Sequence, residues 1–179
     1  IVVVDKNVRP SDLQKIGELF ATSFDPERDI TYSYGVLDVL DHSAPQPFAG
    51  SKIGIDLTAP IAGEGQRKGQ KLAAPTQLQL SEMEAWILEN VEAVEAVELH
   101  RHFGAVSIDK RQRKGRDILL QIANCPGIKS CMRAVAIFDT DVDIAQTPKI
   151  MWKIFNNTDP KRDILIDEQT LFIDACRKN

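Results

Sequence analysis

The stretch FDPERDI, residues 24–30, returns as TDPKRDI at 158–164. A chain of 179 residues that says nearly the same thing twice, 134 positions apart, is bound to build one unit two times over. Without gaps, nine of the 26 positions from Asp5 to Ile30 match their counterparts; average residue usage gives roughly one or two by chance. Asp5 meets Asp139, Val8 meets Val142, Lys15 meets Lys149, Ile16 meets Ile150, and Asp25, Pro26, Arg28, Asp29 and Ile30 meet Asp159, Pro160, Arg162, Asp163 and Ile164. The apolar pattern agrees. Ile1 to Val4 matches Val135 to Phe138, and each short run ends at an Asp, as buried strands do.

A helix follows in each copy. In the first, Ser11 and Gln14 form a capping box, and Leu13, Ile16, Leu19 and Phe20 make one apolar stripe. In the second, Thr147 caps, Pro148 takes the first helical position, and Ile150, Met151, Ile154 and Phe155 supply the stripe. Asp-Pro then marks a turn, and a strand begins near Arg28 or Arg162. The copies part after that strand, and Ile55-Asp56 answers Ile173-Asp174. The simplest account is a βαββ unit used twice, with a long insertion between the last two strands of copy one, about Thr31 to Lys52. Long loops inside compact units usually have work to do, so chemistry is sought in 31–52. Glu27-Arg28-Asp29 invites an acid–base reading. Arg28 and Asp29 are shared by the copy that lacks the long loop, so a turn-fixing ion pair or backbone cap is the better one.

Residues 58–79 are polar and broken by Gly and Pro, and read as a surface linker or arm. Gly63, Gly65 and Gly69 make GxGxxxG, which lacks the third glycine of the dinucleotide fingerprint. Ser81 and Glu84 form a capping box ahead of a long helix striped by Met83, Trp86, Ile87, Val91, Val94 and Val97 and ending before Gly104. FGAVSI, 103–108, is a strand; RKGRDILLQIANCPG is a helix ending near Cys125-Pro126; RAVAIFD opens copy two. His100 and His102 flank Arg101 near Glu98, so a metal site is conceivable, against the plainer reading of solvated polar tips at a helix end. Lys110, Arg111, Arg113, Lys114 and Arg116 form a basic run: a solvated helix start, or a seat for a phosphate or an acidic neighbouring domain. It carries no interleaved aromatics, which speaks against single-stranded nucleic acid.

Whole-chain properties narrow the class. A net charge of −4 argues against nucleic acid, and no apolar run reaches the roughly 20 residues that span a bilayer. Three cysteines, Cys125, Cys131 and Cys176, without metal-ligand spacing read as reduced thiols of a cytoplasmic protein. A start at Ile1, straight into IVVV, reads as a fragment whose N-terminal part lies elsewhere. The fold class is α/β: a mixed sheet flanked by helices, with two βαββ repeats joined by a helical middle. The divisions are 1–69 (first repeat, loop 31–52), 70–133 (arm, long helix, strand and helix) and 134–179 (second, shortened repeat), one compact domain overall. No G-x-S-x-G, H-E-x-x-H or C-x-x-C occurs.

The wording of copy one resembles a known family. IVVVDKNVRPSDLQKIGELFATSFDPERDI is similar to the segment that opens the C-terminal domain of UbiD-type decarboxylases (3-octaprenyl-4-hydroxybenzoate carboxy-lyase-like), VVVxDxDVxPxDxxxVxWAxxTRxDPxRD. LDHSAP, 40–45, resembles the family's LDFASP; GSKIGIDLT, 50–58, resembles GSKxGxDAT; AGEGQR, 62–67, resembles PGExxR. The order and spacing agree across residues 1 to about 69, and copy two carries a weaker form. The chain departs at Thr22-Ser23-Phe24, where the family's Arg is absent, and at Ile16-Gly17-Glu18, where its Trp is absent.

The resemblance implies a non-oxidative decarboxylase of aromatic or α,β-unsaturated acids, including enzymes of ubiquinone and menaquinone biosynthesis. The family uses prenylated FMN with Mn2+ and K+, and the chemistry belongs to the cofactor while the protein orients it. The catalytic Glu-Arg-Glu network and the flavin and metal ligands lie ahead of this domain. It follows that this chain holds no catalytic residue, binds no cofactor by itself and is inactive alone. Its expected partners are the missing flavin-binding part of the same polypeptide and further copies in a homo-oligomer, with an aromatic acid as substrate of the whole. Within the chain, the resemblance places Val36 and Leu37 as apolar pocket-wall residues, with Ser51 and Lys52 at the return of the same loop. Lys52 would meet a carboxylate or phosphate, or pair within the domain. A different class stays open: an independent ligand-binding or assembly α/β domain without activity.

Overall fold

The computed structural model describes residues 1–39, 41–64, 72–110 and 113–178. Copy one forms β1 (Val2–Val3), α1 (Leu13–Ser23), β2 (Ile30–Val36) and β3 (Ala49–Asp56). The middle forms α2 (Gln77–Asn90), β4 (Val94–His100), β5 (Phe103–Ile108), α3 (Gly115–Ile122) and α4 (Ile128–Cys131). Copy two forms β6 (Ala134–Asp139), α5 (Thr147–Asn157), the one-turn α6 (Pro160–Asp163), β7 (Ile164–Asp167) and β8 (Thr170–Asp174).

The duplication extends to the hydrogen-bond register. β1 runs parallel and β2 antiparallel to β3; β6 runs parallel and β7 antiparallel to β8. Individual bonds recur at counterpart positions. Leu57 N donates to Val3 O at 2.9 Å, and Ala175 N to Ile137 O at 3.0 Å. Ala59 N donates to Asp5 Oδ2 at 3.0 Å, and Arg177 N to Asp139 Oδ2 at 2.7 Å. Thr58 N donates to Asp56 Oδ1, and Cys176 N to Asp174 Oδ1. The Asp at or just past the end of each first strand therefore ties down the chain leaving each last strand.

The expected mixed sheet is two sheets. Copy one keeps its strands in a three-stranded sheet, order β1-β3-β2, while copy two joins the middle segment in a five-stranded sheet, order β4-β5-β6-β8-β7. Successive strand residues point to opposite faces, and both faces of the larger sheet are covered. Val106, Val135, Ile137 and Phe172 pack against α2 and α3 through Met83, Ile87, Ile118, Leu119 and Ile122. Ala105, Ala136, Phe138, Leu171 and Ile173 face a second core. That core also takes Phe24, Ile30, Ile55 and Leu57 from copy one, with Ile16, Leu19 and Phe20 of α1 and Ile150 and Ile154 of α5. Burial on both faces explains why AVAIF and LFI are unbroken apolar runs.

Local expectations shift in four places. α2 begins at Gln77, with a Thr76–Gln79 capping box in place of Ser81–Glu84; the Glu84 carboxylate accepts from Leu99 N at 2.8 Å instead. α2 also stops at Asn90, and Val94 and Val97 lie in β4. NVEAVEAVEL satisfies both periods, and antiparallel pairing of β4 with β5 decides for strand. α1 is capped by Asp12, which accepts from Lys15 N at 3.0 Å, not by Ser11, and Thr147 lies inside α5 after an N-cap at Gln146. Residues 31–36 and 49–52, expected in the long loop, belong to β2 and β3, so the excursion itself is 37–48.

Two glycines test the packing with opposite signs. A Cβ on Gly17 of α1 would find only Phe103 Cε2, at 4.0 Å; Gly17→Ala is expected to stabilise the protein by up to about 1 kcal/mol through helix propensity. A Cβ on Gly115, at the head of α3, would stand 2.0 Å from Asp174 Oδ2. That carboxylate is held by Lys178 Nζ at 2.9 Å and Lys110 Nζ at 3.5 Å. It cannot swing away freely, so Gly115→Ala is expected to destabilise by about 1–3 kcal/mol. Urea denaturation of both variants reads the two signs.

Candidate functional site

Each Asp-Pro-x-Arg-Asp motif folds into the same closed turn. Asp25 N donates to Asp29 Oδ2 at 2.9 Å, and Asp159 N to Asp163 Oδ2 at 2.8 Å. Asp29 N returns to Asp25 O, and Asp163 N to Asp159 O, both at 2.8 Å. Arg28 Nε lies 3.3 Å from Asp29 Oδ1, and Arg162 Nε donates to Asp163 Oδ1 at 2.8 Å. Pro sets φ for the turn's second residue, and the paired Asp residues cap it. The turn-fixing reading of Arg28 and Asp29 is what the geometry shows.

The second turn then reaches across to copy one. Asp159, in copy two, accepts from both the backbone N and the Oγ of Ser51 in β3, each at 2.7 Å. Ser51 Oγ in turn accepts from Lys161 N at 2.8 Å. A Cβ on Gly50 would lie 2.9 Å from Asp159 Oδ2 and 2.5 Å from Leu37 Cδ1, so glycine leaves the space into which that carboxylate fits. From the other side Arg133, fully buried, donates to Ala21 O at 3.0 Å and sits over the Phe24 ring at 5.9 Å. It also holds the β7–β8 turn through Gln169 O at 3.0 Å and Gln169 Oε1 at 3.1 Å.

The electrostatics follow. Burial works to raise the Asp159 carboxyl, but the Ser51 amide and hydroxyl and the Arg162 amide and charge outweigh it and hold it below the usual carboxylate range. Burial likewise opposes the Asp174 charge, and Lys178, Lys110 and the Cys176 amide overcome it, again downward. Burial pulls the Arg133 guanidinium below its ordinary value, with Asp25 acting the other way.

The excursion grows from this latch. Leu37 N donates to Phe48 O at 2.9 Å, so its ends meet as in an Ω-loop. Asp41 Oδ1 accepts from Ser43 N at 3.0 Å and Ser43 Oγ at 2.5 Å. Ser43 O accepts from Arg162 Nη2 at 3.0 Å. The loop of copy one is thus held down by the second Arg of the repeated motif. Phe48 adopts φ 62°, the left-handed region that costs a non-glycine residue about 1–3 kcal/mol. Of the four residues expected at a pocket wall, Val36 is 82% exposed at the end of β2, whereas Leu37 is 4% exposed beneath the loop. Ser51 is buried in the latch, and Lys52 is exposed, opposite Ser33 in the ladder. Tyr34, Val39 and Phe48 join Val36 as exposed apolar side chains on the same projection. Asp159 and Arg162 carry a signal in the sequence, as members of the repeated motif, whereas Ser43 and Gly50 lie in the stretch the copies do not share.

The remaining candidates separate. His100 is exposed on β4, and His102 is buried in the following turn with Nδ1 2.8 Å from Cys131 O. Neither ends a helix. No group of three or more His, Cys, Asp or Glu is placed to hold a metal ion among the described residues. Lys110 pairs with Asp174 and Arg113 with Glu92, while Arg111 of the basic run lies outside the described residues. So do Gly65 and Gly69 of the glycine stretch. The three thiols are buried and unpaired by disulfide, and burial pushes Cys125 up to about 11. No helix among the described residues is long and apolar enough to cross a membrane.

Residues 1–57 and 71–174 match the profile of the 3-octaprenyl-4-hydroxybenzoate carboxy-lyase C-terminal domain, UbiD_C. The chain belongs to that family. The match runs through both copies and the middle, beyond the first 69 residues in which its wording was legible. Uncharacterised proteins of two Helicobacter pylori strains, 26695 and J99, are 27% identical over 172 residues, covering 93% of this chain and 26% of their own length. An uncharacterised Aeropyrum pernix protein is 34% identical over 77 residues, 42% of this chain and 16% of its own length. The chain therefore spans about a quarter of the H. pylori relatives. In structure it is similar to an evolved dimeric form of the UbiD-class enzyme HmfF from Pelotomaculum thermopropionicum in complex with prFMN, at a TM-score of 0.50 and 17% identity over 84% of this chain and 40% of that one. At that identity the likeness is one of fold. A UbiD_C domain built as two interlocked copies is what the chain presents.

The latch has a pH signature. A carboxyl depressed in the folded state contributes stability above its unfolded value, near 3.9, and loses it as pH falls through the folded one. Ser51→Ala removes a donor to Asp159 and leaves Lys161 N without its acceptor. The variant is expected to be about 1.5–3 kcal/mol less stable at pH 7. The gap should narrow as pH falls below the unfolded value and on toward the lower folded one. Denaturation midpoints at pH 7 and pH 3 measure both.

Proposed function

We propose that this chain is the C-terminal domain of a UbiD-like, prenylated-FMN-dependent non-oxidative decarboxylase of aromatic or α,β-unsaturated acids, in quinone biosynthesis or a related pathway. Its own part is subunit assembly and one wall of the substrate pocket. The observation that carries this reading is the end of β2 and the 37–48 excursion that follows it: Tyr34 and Val36 of the strand and Val39 and Phe48 of the loop form an apolar projection left in solvent, fixed at its base by Arg162 and Asp159. Exposed apolar clusters on a rigid support mark contact sites. Family membership supplies the enzyme class.

Bound in the full-length protein, prenylated FMN would supply the electron sink for loss of carbon dioxide, together with Mn2+ and K+. The described residues offer no set of ligands that fits these ions. What this chain's residues do is positional. Val36 and Phe48 press apolar surface against the neighbouring part of the enzyme and exclude water. Leu37 anchors the loop from below, and Lys52, exposed beside the latch, is in reach of an anionic group on the partner surface. Catalytic groups lie in the part of the protein outside this chain, and the chain alone is inactive.

The full-length enzyme, loaded with prenylated FMN, provides the test. Val36→Asp and Phe48→Asp are each expected to lower kcat/KM for an aryl acid by about ten-fold or more, roughly 1.4 kcal/mol in the transition state. Flavin absorbance should be retained. Unchanged kinetics together with an unchanged sedimentation coefficient would overturn the wall and assembly roles. Turnover by residues 1–179 alone would overturn the placement of the catalytic groups. A ligand that raises the melting temperature of an otherwise inactive full-length protein would favour an independent binding domain.

A further inference from the structure

The two copies share one frame but not one environment. In copy two, β6 has a parallel neighbour on each side, β8 on one and β5 on the other. In copy one, β1 stands at the end of its sheet with β3 alone beside it among the described residues. The counterpart positions record the difference. Ala136 and Ile137 are 3% and 0% exposed, while Val2 and Val3 are 41% and 48% exposed.

A second, separate position tells the same story. Asp174 is buried, with Gly115 at the head of α3 packed onto its carboxylate. Its counterpart Asp56 is exposed. In copy two both covers, β5 over β6 and the α3 N-terminus over Asp174, come from one strand–helix segment that precedes β6. Among the described residues, copy one has neither a strand beyond β1 nor a helix N-terminus over Asp56, whose carboxylate accepts from Thr58 N and Oγ1. Such an edge is a ready template for strand addition, and a helix N-terminus favours a carboxylate.

We propose that the open side of β1 receives a parallel strand followed by a helix headed onto Asp56, both supplied by the part of the same polypeptide that precedes Ile1. Three points select that occupant over a second copy of the chain. Copy two shows the pairing to be parallel, and it draws the strand from some thirty residues earlier, Ala105 opposite Ala136, which is a crossover of the length parallel pairing requires. Two copies meeting edge to edge about a two-fold axis would pair β1 with β1 antiparallel. The family is a C-terminal domain, and the H. pylori relatives carry most of their length outside the matched region.

Amide hydrogen exchange at single-residue resolution on the full-length protein tests it. Ile55 N donates to Ile1 O and Leu57 N to Val3 O, so Ile1 and Val3 address β3 while Val2 and Val4 address the open side. With the added strand in place, the Val2 and Val4 amides are expected to exchange at least about a hundred-fold slower than unprotected amides. A slow stretch should appear roughly thirty residues upstream, and protection should persist on dilution to single subunits. Fast exchange at Val2 and Val4 overturns the proposal. Protection that vanishes on dilution assigns the edge to a second copy and overturns it as well, as does protection without any slow upstream stretch.

Discussion

The structure depends on one buried carboxylate. Asp159 lies 2% exposed at the meeting point of the two copies, where an unpaired charge would cost several kcal/mol. It is tolerated because Ser51 presents an amide and a hydroxyl at 2.7 Å and Arg162 an amide at 3.1 Å. Those donors come from both copies, so the charge is satisfied only when the copies are docked. Gly50 is part of the same requirement, since any side chain there would displace the acceptor or Leu37.

The reverse contact is built differently. Arg133 carries the charge on that side, and it reaches two carbonyl oxygens, Ala21 and Gln169, with the Phe24 ring beneath it. The copy-two turn is thus gripped through its carboxylate, and in copy one the end of α1 is gripped through a carbonyl and a ring. An asymmetric lock on a symmetric frame leaves the copies free to diverge elsewhere. Copy one spends that freedom on the 37–48 loop, held by Arg162 through Ser43 O. Copy two has in that place a short β7–β8 turn, and its outer strand is enclosed by the middle segment instead.

Charge also organises the far end of the larger sheet. Asp174 draws in Lys110 and Lys178, and Lys178 lies 3.5 Å from Asp163 as well. The head of the basic run is thereby committed to an acid within the domain, and Arg113 to Glu92. Of the two readings the run allowed, a solvated helix start or a seat for an anion, these two pairs speak to neither for Lys114 and Arg116, whose neighbours in the run, Lys110 and Arg113, are answered by acids far along the chain.

By itself the sequence determined the repeating unit, its strand and helix types and the family. Nine identities, two Asp-Pro turns and the apolar runs are short-range signals, each read within one copy. The tertiary structure decided what those units do to one another. NVEAVEAVEL fits both helix and strand until β5 pairs with it; Ser51 looks like a loop residue until Asp159 arrives from 108 positions away; and one sheet became two because β5 claims the edge of β6, and among the described residues β1 pairs with β3 alone. Each of these rests on a hydrogen bond between distant segments, and such bonds leave no periodicity in the chain for a reader to find.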